Sequence, residues 1–224
     1  MYAILKRNLY YFYHKSIYLL LPLFCIFIFF VTSIHNDFID SEAIFYILTG
    51  TYHSSSTFLF ISLSLVINMT YLYYAYILFT YDINYNKENI FLRIDYKKWV
   101  VSILISAAVL NAVLTFIFTG IGTFFMISMG RRVFFSFPIV ILIYFTKMFI
   151  TQLLFLFNKL FTKMSLILLG IILLCPLLFR INSFIYVTAL IEKYNVFSIL
   201  CIQIVLNIIL IVISFILKDK KITM

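Results

Sequence analysis

The chain has 224 residues, 65% of them hydrophobic, and its mean hydropathy is +1.12. A soluble domain is about half apolar, so no soluble fold could bury this sequence, and the composition implies an integral membrane protein. The formal charge of +9 is scattered over the ends of apolar stretches, which argues against a nucleic-acid surface and makes anionic lipid headgroups the counter-charge. Those stretches are continuous and about 20 residues long, as spanning helices are, and do not alternate in and out as barrel strands do.

Met1–Lys15 reads MYAILKRNLYYFYHK, with Lys6, Arg7, His14 and Lys15 among Tyr, Phe and Leu. This interleaving predicts an interfacial elbow helix (residues 1–15), rings at headgroup depth and cations among phosphates. The segment also looks like the start of a signal peptide, but no small-residue cleavage site follows and several further spans do. The first span is read over Ser16–Ser33 (16–33). His35–Ser56 then carries Asp37, Asp40 and Glu42 and no Lys or Arg. The second span is Thr57–Tyr81 (57–81) and the third Trp99–Ser128 (99–128). The third is long for one crossing, so it tilts, projects, or loosens at Gly120 and Gly122. Gly130-Arg131-Arg132 is the turn to the fourth span, Val133–Phe157 (133–157), and Asn158–Lys163 is a short basic loop. The fifth span, Met164–Phe179 (164–179), is short, and Pro176 weakens its end. Arg180–Asn195 is a half-polar connection, and Val196–Leu217 (196–217) is the sixth span before a basic tail.

Six spans put both termini on one side. Twelve Lys and Arg residues fall on that side and four on the other, so the positive-inside rule places both termini in the cytoplasm, with Arg131 and Arg132 a local dissent. The expected fold is an all-α polytopic membrane protein with six transmembrane helices, residues 1–224 forming a single transmembrane domain.

The longest polar interruption is Tyr81–Leu104, YDINYNKENIFLRIDYKKWVVSIL. It carries Lys87, Arg93, Lys97 and Lys98 against Asp82, Glu88 and Asp95, and it must face water or protein. With Trp99 where the next span begins, it reads as a short interfacial helix that docks a soluble partner, or as a solvated cytoplasmic loop. The full charge deep in a span is Lys147, about 16 Å from the cytoplasmic end of the fourth span at the helical rise. Tyr144 and Thr151 accompany it at i−3 and i+4. Lys147 is either a structural, snorkelling lysine or one that lines a translocation path. Asn68, Asn111, Gln152, Gln203 and Asn207 are read as interhelical hydrogen-bonding residues.

Enzyme chemistry finds no constellation. There is no HExxH, no GxSxG, no P-loop and no pair of acidic residues inside any span, so no catalytic residue is assigned and any ATP must be bound by another chain. His35, Asp37, Asp40, Glu42 and His53 share one loop but match no standard metal spacing, so no metal site is assigned. Cys25, Cys175 and Cys201 fall in apolar stretches without a CxxC pair and read as buried fillers.

Taken together, the basic aromatic elbow, the Arg-x-x-x-x-Lys-Trp pattern at Arg93–Trp99, the short basic loop after span four and the Pro-bearing fifth span resemble one known layout. It is that of the membrane subunit of an ABC-type-2 exporter, in particular the small permeases of low-GC Gram-positive bacteria that export peptides or give immunity to them. The resemblance covers the whole chain, in layout. It implies a multi-pass protein of the bacterial cell membrane, and a pore made with a second permease chain as a homodimer or heterodimer. Two ATP-binding subunits would hold ATP and magnesium, with no cofactor bound by this chain. It maps a coupling helix for ATPase docking onto Lys87, Glu88, Arg93, Asp95, Lys97 and Lys98, and external helices onto Arg180–Asn195. Translocation-path candidates are Lys147, Tyr144 and Thr151, for a hydrophobic or amphipathic cargo such as a peptide or antibiotic. The alternatives are a six-span substrate-capture component of an ATP-driven vitamin importer and a peptide-sequestering immunity protein. The bulky Leu19–Phe30 stretch departs from the small-residue packing expected of the former.

Overall fold

A computed structural model describes residues 2–15, 18, 20, 22–25, 28, 58–85, 95–128, 130, 136–161 and 195–217. Among these the long elements are all helices: α1 (Tyr2–Lys15), α2 (Phe58–Tyr85), α3 (Tyr96–Ser128), α4 (Phe137–Phe161) and α5 (Val196–Ile216). Three of them, α3, α4 and α5, are long and apolar enough to cross a membrane. The first and fifth expected spans fall largely or wholly outside the described residues, as does the connection Arg180–Asn195 but for its last residue.

Local chemistry sets the helix ends. The Asn195 side chain accepts from the Phe197 N–H at 3.2 Å and caps α5. At α4 the Ser136 carbonyl accepts from the N–H groups of Ile139 and Val140. Pro138 sits in that first turn, where its missing N–H removes no helical bond. The helix therefore starts at Phe137, four residues later than the hydropathy pattern predicts. At the end of α3, Gly130 adopts φ 66°, a left-handed conformation that a side chain resists, and its N–H returns to Ile127 O. Along α3 the hydroxyls of Ser102, Ser106, Thr119 and Thr123 each bond a carbonyl three or four residues back. That is how hydroxyls are satisfied where water is absent.

α3 runs 33 residues without a break through Gly120 and Gly122, about 50 Å at the helical rise against a hydrocarbon core of about 30 Å. Its outward face explains the excess. Lys97 and Lys98 are exposed in the first turn, whereas Ile105, Val109, Val113, Phe116, Phe124 and Ile127 line the exposed face thereafter. The first two turns therefore extend past the apolar belt, and the remainder needs only tilt to fit.

Among the described helices, α4 is the central one. It packs on α2, α3 and α5, and 67% of its apolar stretch is buried against 28% for α5. One hydrophobic cluster joins Leu72, Ala75 and Phe79 of α2, Trp99, Val100 and Ile103 of α3, and Ile150, Leu154 and Phe155 of α4. Trp99 is fully buried there, 6.2 Å from the Phe155 ring. Trp99, read from sequence as the start of the third span, is an interior residue because α3 starts at Tyr96 and carries it onto its packed face. Cys25 and Cys201 are exposed free thiols, where burial was expected. In a span the outward face meets hydrocarbon, so an apolar thiol has no reason to turn inward. Cys175 lies outside the described residues.

Candidate functional site

Two groups of polar side chains stand out, one halfway along the bundle and one at its end. In the first, Lys147 is fully buried on α4. Its Nζ donates to Asn68 Oδ1 of α2 at 2.5 Å and lies 5.4 Å from the centre of the Tyr71 ring, one turn along the same face of α2. The Tyr71 hydroxyl meets Thr115 Oγ1 of α3 at 3.2 Å. One turn back on α3, Asn111 Nδ2 donates to Thr151 Oγ1 of α4 at 2.9 Å. Three helices are therefore laced in one layer, about 8 to 14 Å deeper along α3 than Ser106.

The energies are of matching size. A lysine at mid-bilayer costs about 2.5–3.5 kcal/mol on insertion scales. A hydrogen bond to a charged group returns about 1.5–3 kcal/mol, and a desolvated cation–π contact about 2 kcal/mol. Lys147 is thus held inside the bundle rather than reaching for the headgroups. On the far side of α4, Gln203 and Asn207 of α5 both donate to the Phe145 carbonyl, at 3.5 and 3.0 Å. Asn68, Asn111, Gln203 and Asn207 therefore make the interhelical bonds expected of them. Gln152 does not: both its amide atoms are buried and have no partner among the described residues.

Of the expected path residues, Lys147 and Thr151 are buried in this layer and Tyr144 is half-buried. Tyr144 lines a groove of 490 Å³ between α3 and α4, with Ala112, Thr115, Phe116, Thr119, Phe137, Val140 and Ile141. Sequence reading missed Tyr71 and did not join Asn68 to Lys147. The available signal was their i, i+3 spacing on one face of α2.

The second group sits where α3 begins. Asp95, Lys97 and Lys98 are exposed, whereas Lys87, Glu88 and Arg93 lie outside the described residues. Beside them α1 lies against α3 and α2. Asn8 is buried and donates to Ser106 Oγ at 3.1 Å, while Arg7 donates to Asn8 Oδ1 at 3.1 Å. The Tyr74 hydroxyl donates to the Lys15 carbonyl at 2.8 Å, and the Phe12 and Tyr74 rings meet edge to face. The Tyr96 hydroxyl donates to the Leu217 carbonyl at 3.0 Å. α1, the start of α3 and the end of α5 therefore share one end of the bundle. His35, Asp37, Asp40, Glu42 and His53 lie outside the described residues.

These features define an all-helical protein with, among the described residues, three helices suited to crossing a membrane, an N-terminal helix packed on α3 and a buried lysine layer. No protein-family model, no curated protein and no solved structure matches the chain.

Proposed function

We propose that this chain is the permease subunit of an ABC-type-2 exporter in a bacterial cell membrane, with six spans and both termini in the cytoplasm. It pairs with a second permease chain and is driven by two separate ATP-binding subunits. One observation carries the reading: the elbow α1 is clamped to α3 by Asn8 and Ser106, beside the exposed charged turn Asp95–Lys98. A soluble partner pressing on that end meets α1 and the head of α3 together. Because α3 runs unbroken from that turn to Ser128, a push at its head reaches the Lys147 layer through a stiff rod. Differential contact of Lys87, Glu88, Arg93, Asp95, Lys97 and Lys98 with the open and closed ATPase transmits the work. The half-buried Tyr144, with Lys147 and Thr151 behind it, then borders the path of a hydrophobic or amphipathic cargo.

The test is co-expression of the tagged chain with any ABC-type ATPase encoded beside it, followed by mass measurement and ATP hydrolysis assay in mild detergent. The expected complex holds two permeases and two ATPases, and Arg93→Glu with Lys97→Glu disperses it. A stable monomer that ignores the neighbouring ATPase would sink the proposal.

A further inference from the structure

The groove between α3 and α4 differs from a second hollow among the described residues. That other hollow, of 780 Å³, is lined by Leu20, Leu23, Phe24, Gly120, Ile121, Phe124 and Phe125 and offers no polar side chain. The 490 Å³ groove has walls of Ala112, Phe116, Phe137, Val140 and Ile141, but also holds Thr115, Thr119 and Tyr144. The hydroxyls differ in what they have left to give. Thr119 spends its proton on the Thr115 carbonyl at 2.6 Å. Thr115 and Tyr71 share one hydrogen bond between two hydroxyls, so the one that accepts keeps its own proton, which faces the groove when Tyr71 is the donor. The Tyr144 hydroxyl makes no hydrogen bond among the described residues. Behind this pair, over the Tyr71 ring, lies the Lys147 ammonium. The groove lining contains no carboxylate. An apolar slot with surplus donors and a cation behind it selects an apolar chain bearing an anionic acceptor.

We propose that this groove binds a single-chain amphiphile with a carboxylate head, its chain along Phe116, Val140 and Ile141 and its head at Tyr144 and Thr115. The groove lies in the half of the bundle away from α1, so the ligand enters sideways from that leaflet. The proposal rests on the permease reading only in making this amphiphile stand for the cargo class. Binding itself belongs to this chain alone and is measured without any ATPase, so its failure is separate from failure of ATPase docking.

The experiment uses the full chain in lipid nanodiscs and two photoactivatable probes of equal length, a diazirine-bearing palmitic acid and the matching primary amine. Crosslinked residues are mapped by mass spectrometry. The acid is expected to label groove residues at least about tenfold more than the amine, whose ammonium has no lone pair to accept with. Tyr144→Phe should cut acid labelling severalfold and leave amine labelling unchanged, and Ala112→Trp should fill the slot and remove both. The apolar hollow around Gly120 should take the two probes alike. Equal labelling of the groove by acid and amine overturns the proposal. So does labelling no denser than on the exposed α5 residues Phe197, Ile202 and Val205, which would mean bulk lipid contact only.

Discussion

Two sets of lysines on neighbouring helices show what depth does to one side chain. Lys97 and Lys98 sit exposed in the first turn of α3, where water can solvate them and salt can screen them. Lys147 sits fully buried on α4, held by an amide oxygen and a tyrosine face. At the end of the bundle a charge is inexpensive and replaceable, which suits a surface that meets a partner. In the middle it needs built partners, and removing them is costly. The comparison separates residues whose loss changes recognition from residues whose loss changes the fold.

The largest effect should come from taking a partner from the buried cation. Asn68→Leu leaves the Lys147 ammonium without its amide acceptor, and about 2–3 kcal/mol of stability should be lost, read as a lower melting temperature in detergent. Lys147→Met on its own should cost less, about 1 kcal/mol, since an apolar chain of similar volume replaces the buried charge but leaves the Asn68 Oδ1 without its donor. In the double variant Asn68→Leu with Lys147→Met, most of the loss should return. A double variant as unstable as Asn68→Leu alone would mean that Asn68 acts by packing and not by holding the charge. If export is intact with Lys147→Met in a complex of normal abundance, Lys147 has no part in the path.

Gln152 tests the same region with the opposite sign. Its amide is buried and unpaired among the described residues, so Gln152→Leu should raise stability by about 1–2 kcal/mol. A fall would reveal a partner, such as a second chain, that the amide serves. Asn8→Ala removes the bond from α1 to Ser106 and should cost about 1 kcal/mol. It should act mainly by freeing the elbow, visible as faster proteolysis near residue 15 with the bundle intact. The smallest effect belongs to the other lysine set. Lys98→Ala should leave the melting temperature unchanged and weaken only ATPase capture, and a clear stability loss would erase the distinction between the two regions.

Much of the fold was legible because spanning length and hydropathy are local properties. The second, third, fourth and sixth expected spans each coincide with a described helix, with ends shifted by no more than four residues. The shifts have local causes, Pro138 and Ser136 at α4 and Asp95 at α3, whose carbonyl accepts the Trp99 N–H. The packing of Trp99 was not legible because an aromatic at a span boundary looks the same in sequence whether it meets headgroups or packs inward. Cys25 and Cys201 were misread because the inside-apolar rule of water-soluble proteins loses its force in lipid. The site was legible only as types of residue. Lys147 stood out by its cost, whereas the i, i+3 spacing of Asn68 and Tyr71, 79 and 76 positions before it, puts those two on one face of a helix without linking that face to Lys147.

Sequence alone determined that this is an all-helical chain suited to a bilayer, with an aromatic, basic helix at its start and one lysine too deep to be casual. Those follow from hydropathy, helical rise and the cost of charge in hydrocarbon, each a property of a short segment. Tertiary structure decided which helix is central, that α1 is fastened to α3 through Asn8, and that Lys147 faces Asn68 and Tyr71. It also decided that Thr115 and Tyr144 come together in one groove. Contacts between separate helices depend on their relative rotation, which hydropathy leaves free and close packing of side chains fixes.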